Sequence, residues 1–145
     1  MAYDTSPGIP RKEVKPHKVH KTGGRTVLFN SGEYIRGPGS DRIDLHYYLT
    51  NNSVSSYLMR MQGNSMRQSG LHDNSILIVE QSLSPRLGDI VVVRFNGAVV
   101  IRRLSKLHGR WCFLTDDALD KPIYILSSDQ VERMGVVLFA INKIR

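Results

Sequence analysis

The stretch Ile90-Val-Val-Val-Arg-Phe-Asn-Gly-Ala-Val-Val-Ile-Arg-Arg-Leu104 decides the fold class. It holds two runs dense in β-branched residues, whose side chains suit a pleated, half-buried surface better than a helix. Only the dipeptide Asn96-Gly97 separates them, a strong signal for a two-residue hairpin turn. Working outward, Tyr57–Met61, Ile76–Val79, Trp111–Leu114 and Val136–Ile141 have the same short, β-branched or aromatic character. Closely spaced strands with tight turns predict a mostly-β fold: a compact antiparallel, partly open barrel-like sheet, not alternating βαβ units.

Upstream of these strands the pattern changes. Residues 1–24 contain Pro7, Pro10, Pro16 and Gly23-Gly24 without sustained apolar periodicity, which reads as a flexible arm. Thr26–Phe29 is a short extended segment inside it, and Gly32–Ser40 returns to linker composition. Ser40-Asp41 is a candidate cap for a short helix over Arg42–Leu49, closed by Asn51-Asn52. The expected organisation is a flexible basic arm over residues 1–41 and a body over 42–145.

The 145 residues, 41% hydrophobic and 23% charged, suffice for one core and exclude wholesale disorder. The net charge of +7 is uneven. Residues 1–25 hold six Lys or Arg (Arg11, Lys12, Lys15, Lys18, Lys21, Arg25) against Asp4 and Glu13, a balance of +4; residues 26–145 hold fourteen against eleven. Such a segment can make weak contact with nucleic acid or an acidic partner, although a solvated arm is the simpler explanation of the charge. The longest apolar stretch, Gly135–Ile141, is far short of the roughly 18–20 residues a membrane span needs, so no membrane association is expected. No apolar segment of the secretory type follows the N-terminus. A single cysteine, Cys112, excludes an internal disulfide framework and fits a reducing compartment. The cytoplasm is the expected location.

Chemistry-bearing motifs are few. There is no Gly-rich phosphate loop, and the five histidines, His17, His20, His46, His72 and His108, form no metal-ligand spacing, so neither cofactor nor metal is expected. Ser65 lies in Gly63-Asn-Ser-Met-Arg67, without the second glycine of a hydrolase nucleophile elbow; in isolation it reads as a turn residue.

Its surroundings change that reading. Tyr57–Met66, Gly70-Leu-His-Asp73, Ile76–Val79, Gly88-Asp-Ile-Val91, Asn96-Gly97 and Ile101-Arg-Arg-Leu104 occur in an order that resembles the serine–lysine self-cleaving family of the LexA repressor and the UmuD mutagenesis protein. Arg42–Leu45 upstream, and Ser127-Ser-Asp129 with Gly135-Val-Val137 downstream, bring the resemblance closest to the UmuD branch. It covers roughly residues 42–145 and extends weakly back to about residue 26.

The resemblance implies that Ser65 stands at the nucleophile position. In the family a buried neutral lysine takes the serine proton, which requires desolvation to lower its pKa. That lysine falls at Arg102, and the blocks align without gaps. A guanidinium with a pKa above about 12 cannot serve as this base. Lys106 lies four residues further on, roughly 13 Å along a strand at about 3.3 Å per residue. His72 has only adjacent Asp73 as a possible orienting group. Arg102 shares strand parity with Val100 and Leu104, so partial burial and a hydrogen bond to Ser65 or a carboxylate are expected; an ordinary solvated strand arginine is the alternative.

Family members cut a small-residue–Gly bond in the arm, and Phe29-Asn-Ser-Gly32 offers Ser31–Gly32 as the candidate scissile bond. With Arg102 at the base position, self-cleavage is expected to be slow or absent. By resemblance, the chain is a homodimeric accessory subunit of SOS-induced error-prone translesion synthesis. Its implied partners are a UmuC-type Y-family DNA polymerase and RecA–single-stranded-DNA filaments. An active self-cleaving serine peptidase, and a LexA- or phage-type transcriptional regulator lacking its DNA-binding domain, are the alternatives.

Overall fold

A computed structural model describes residues 11–12, 18–22, 25–29, 32, 34–35 and 44–145. The chain forms two compact units, Met1–Asn52 and Ser53–Arg145. In the first, β1 (Arg11–Lys12) pairs antiparallel with β4 (Tyr34–Ile35). Strands β2 (Lys18–Thr22) and β3 (Arg25–Phe29) pair in register from Lys18↔Phe29 to Thr22↔Arg25. The sequence pattern showed only the 26–29 portion of this as extended. Helix α1 spans Leu45–Thr50, shorter than the expected 42–49 helix and shifted toward the C-terminus. Its cap is Asp44, whose carboxylate accepts the Tyr47 N–H, and not Ser40-Asp41, which lie outside the described residues. Asn51 closes it in the left-handed conformation, as expected from Asn51-Asn52.

The second unit is a seven-stranded antiparallel sheet that does not close on itself. Its strands are β5 (Ser56–Arg60), β6 (Ile76–Glu80), β7 (Ile90–Phe95), β8 (Ala98–Leu107), β9 (Arg110–Leu114), β10 (Ile123–Tyr124) and β11 (Val131–Ile141). Their order across the sheet is β10-β9-β8-β7-β11-β6-β5. The expected mostly-β, partly open architecture is the one observed.

The opening stretch occupies the middle of this sheet, which explains its composition. Val91 and Val93 pack with Phe113 and Val136 in one cluster, whereas Val92 packs with Met61, Met66, Leu71, Leu77, Val79 and Ile101 in another. A strand buried on both faces needs a continuous apolar run, and each such side chain contributes on the order of 1.5–3 kcal/mol. Asn96 and Gly97 both adopt positive φ (48° and 87°), the backbone a tight two-residue hairpin requires. His108-Gly109 turns the next hairpin the same way, at 50° and 73°.

Strand β11 inserts between β7 and β6, with register shifts between Arg133 and Gly135 and between Val137 and Phe139. Gly135 has φ 146°, and a Cβ there would lie 2.6 Å from Val79 Cγ1 and 2.9 Å from the Glu80 carbonyl oxygen. The bulge therefore requires glycine, and it bends the long strand so that both neighbours can pair with it.

Candidate functional site

Ser65 follows β5 in a loop whose backbone is tied down on several sides. The Met61 N–H donates to the Ser75 carbonyl (2.8 Å), and the Asn74 N–H returns to the Met61 carbonyl (2.9 Å). The Gly63 N–H donates to Asp73 Oδ1 (2.7 Å), and the Asp73 N–H to Asn64 Oδ1 (3.3 Å). Met66, the next residue along, is fully buried in the core and forms a β-bridge with Leu71. An apolar anchor beside a polar residue fixes where that polar residue points, so Ser65 is held partly exposed at the end of a rigid loop.

Two longer-range ties complete the loop. The Ser65 carbonyl accepts the Asp116 N–H at 2.8 Å. The Asp116 carboxylate accepts the Ser69 N–H (2.7 Å) and the Ser69 hydroxyl (2.9 Å). Arg103 donates to Ser69 Oγ and to the Gly88 carbonyl, both at 2.6 Å. On the far side, Asn142 Nδ2 donates to the Gly70 carbonyl (3.2 Å), and the Ser75 hydroxyl hydrogen-bonds to Asn142 Oδ1. Reading the sequence did not single out Asp116, Ser69, Arg103 or Asn142. They lie 15 to 72 residues from their partners, and polar loop residues carry no periodicity that would mark them.

Arg102 enters from β8. Its Nη1 donates to Ser65 Oγ at 3.3 Å, the long end for such a bond, and to the carbonyl of Ile101 at 2.8 Å. Its Nε is buried without a partner. The side chain is half-buried, and among the described residues no carboxylate lies within ion-pair distance of it. Ser65 and Arg102 line one wall each of a cleft of about 490 Å³. Met59–Asn64 lie on the Ser65 side and Val99–Ile101 on the Arg102 side.

The other sequence candidates lie apart. Lys106 Nζ sits 5.4 Å from the centre of the Trp111 ring, a cation–π contact on the β8–β9 hairpin, and does not line the cleft. His72 is exposed, and Asp73 is committed to the Gly63 N–H. Gly32 is exposed, with no heavy atom within 4 Å of where a Cβ would stand; Ser31 lies outside the described residues. Among the described residues there is no group of acidic, His or Cys side chains able to hold a metal, and no helix long and apolar enough to cross a membrane.

The arrangement can hold a serine hydroxyl, and among the described residues the side chain bonded to that hydroxyl is a guanidinium. A guanidinium donates hydrogen bonds and does not accept a proton at working pH.

The Peptidase S24-like family model matches residues 24–138. Protein MucA of Salmonella typhimurium is 32% identical over 104 residues, 70% of each chain. Protein SamA of the same organism is 28% identical over 105 residues, 72% of each. The LexA repressor of Bordetella pertussis is 30% identical over 82 residues, 57% of this chain but 38% of the repressor.

Proposed function

The chain belongs to the Peptidase S24-like family, and we propose that within it this protein is a UmuD-like accessory subunit of DNA-damage-induced mutagenesis that acts by binding and does not cut itself. The observation that carries the reading is the Ser65–Arg102 contact, 3.3 Å between Oγ and Nη1. For Ser65 to attack a carbonyl, its proton must pass to a base and then to the leaving amine. Arg102 occupies the position from which the family's lysine would do this, and its charge is permanent.

On this reading residues 1–41 are an arm that stays attached to the body, and the bond Ser31–Gly32 remains intact. The partners are those the family resemblance implies: a second copy of the chain, a UmuC-type polymerase and a RecA–single-stranded-DNA filament. The basic arm adds a weak, salt-sensitive attraction for nucleic acid. Similarity to MucA and SamA over about 70% of each chain supports this branch over the repressor branch. Incubation with activated RecA filaments followed by intact-mass measurement tests the reading. An unchanged mass is expected, and fragments ending at Ser31 would overturn it.

A second reading, an active self-cleaving peptidase, is favoured by one observation: Ser65 lines an open cleft with its hydroxyl in place. Should fragments form, their disappearance in Ser65→Ala would establish that reading.

A further inference from the structure

From Ile90 to Thr115 the chain carries five cations, Arg94, Arg102, Arg103, Lys106 and Arg110, and no Asp or Glu. The first three are engaged elsewhere. Arg94 pairs with Glu132 (3.3 Å), Arg103 faces Asp116, and Arg102 bonds to Ser65 and to the Ile101 carbonyl. Lys106 and Arg110 stand exposed near the closed end of the β8–β9 hairpin, which turns at His108-Gly109. Among the described residues neither has a carboxylate within ion-pair distance. Each lies against an aromatic ring instead. Lys106 Nζ is 5.4 Å from the centre of the Trp111 ring, and the Arg110 guanidinium carbon is 4.4 Å from that of Tyr124. Lys106 is directly opposite Trp111 in the ladder and shares its face, whereas Arg110 is opposite Leu107 and projects from the other. The hairpin end therefore presents a cation beside an aromatic ring on both faces. The acids that follow in sequence lie past the opposite end of β9 and are already bonded: Asp116 to Ser69, Asp117 to the Leu119 N–H and Asp120 to the Thr115 hydroxyl.

We propose that the end of the β8–β9 hairpin binds single-stranded nucleic acid, with Trp111 as the stacking platform for a base and Lys106 and Arg110 as phosphate contacts. The site goes beyond the binding reading above: it does not involve the Ser65 cleft and is separate from the basic arm. A cation–π pair that only fastened the hairpin would have no use for an open ring, yet Trp111 is 44% exposed with Lys106 in place. That leaves ring surface for a base to cover. Every base has a π-face, so such stacking tolerates any sequence, while neighbouring cations follow the backbone. Bases in a duplex are stacked on one another and closed to the ring, which makes the single strand the form that fits. An acidic peptide would meet the two charges but would gain nothing from the indole.

Trp111 is the single tryptophan of the chain, so tryptophan fluorescence reports on this site and no other. The probe is an oligothymidylate of about twelve nucleotides, within the range of site sizes that such surfaces use, titrated into the full-length chain at low salt. Saturable quenching of Trp111 is expected. With the same oligonucleotide carrying fluorescein, anisotropy should show binding weakened at least about fivefold in Trp111→Ala, the lower end of what one base–aromatic stack gives, and largely kept in Trp111→Phe. Lys106→Gln combined with Arg110→Gln should reduce the slope of log K against log salt by about 1.4, two phosphate contacts at roughly 0.7 each. Melting curves establish that the variants are folded; the quenching and the two exposed Gln substitutions carry the test even if Trp111→Ala fails to fold. Binding that leaves Trp111 fluorescence unchanged would place the contact on the arm and overturn the proposal. A salt slope untouched by the Gln substitutions, a duplex of the same length binding as tightly, polyglutamate quenching Trp111 as well as the oligonucleotide does, or no saturable binding would each overturn it too. None of these outcomes bears on self-cleavage, which intact mass decides separately.

Discussion

Two consecutive residues of β8, Arg102 and Arg103, show what the same side chain does in two surroundings. Arg103 ties separate segments together: it donates to the Gly88 carbonyl and to Ser69 Oγ, and Asp116 Oδ1 lies 4.0 Å away. It braces the loop that carries Ser65 against the loop that carries Asp116. Arg102 has a weak bond to Ser65, a bond to its neighbour's carbonyl and a buried Nε with no partner. Donors that join distant segments make a strut, whereas Arg102 bonds only to its neighbour's carbonyl and, weakly, to the cleft serine. The distinction predicts that changes around Arg103 are felt in stability and changes at Arg102 in function.

The largest effect is expected on the Arg103 side. Asp116→Ala removes the acceptor of the Ser69 N–H, the Ser69 hydroxyl and the charge facing Arg103 in a side chain only 13% exposed. Leaving these donors unpaired should cost about 2–4 kcal/mol in urea unfolding. A loss below about 0.5 kcal/mol would mean the strut is not one. Arg103→Gln should cost less, about 1 kcal/mol, because that side chain is 37% exposed and water screens and replaces part of what is lost.

Arg102→Gln should change the urea midpoint least of these three, within about 0.5 kcal/mol, since it removes an orphaned donor along with two modest bonds. If Arg102→Gln destabilised the protein as much as Asp116→Ala, Arg102 would be a second strut and the comparison would fail.

A smaller effect tests the hairpin that places both arginines. Asp129 accepts Asn96 Nδ2 (3.0 Å) and the Leu126 N–H (2.8 Å), and these bonds hold its carboxyl below the usual aspartate range. A lowered folded-state pKa stabilises the fold above the unfolded value, near 3.9, and that contribution is lost as pH falls through the folded value. Asp129→Asn should therefore lower the melting temperature slightly at neutral pH, and the gap from wild type should close in acid. A gap that is constant with pH would show that the charge is not what matters.

How much of this was legible in the sequence follows from which residues act locally. The runs in 90–104 and the Asn96-Gly97 turn identify two central strands because β-branching and turn chemistry act between near neighbours. The first half of β11 did not read as a strand: Val131-Glu-Arg-Met-Gly135 is mostly exposed and broken by a bulge, so no alternation survives. Strand β10, two residues long, is held by its pairing with β9 and has no pattern of its own. The pairing of Ser65 with Arg102, 37 residues apart, was accessible only through the order of sequence blocks, because no local spacing encodes it. Asp116 gave no signal at all; its role exists only once the sheet has brought two loops together.

The central claim is that Arg102 leaves Ser65 without a base, and one measurement addresses it directly. Wild type and Arg102→Lys are incubated side by side at rising alkaline pH and followed by intact mass. The pH stays below about 10, because burial raises the Tyr57 phenol pKa, so the stability this group contributes is lost as pH rises through its titration. The account predicts that wild type keeps its full mass while Arg102→Lys, carrying an amine that can give up its proton, releases a fragment ending at Ser31. Cleavage of the wild type at that bond, abolished by Ser65→Ala, would contradict it.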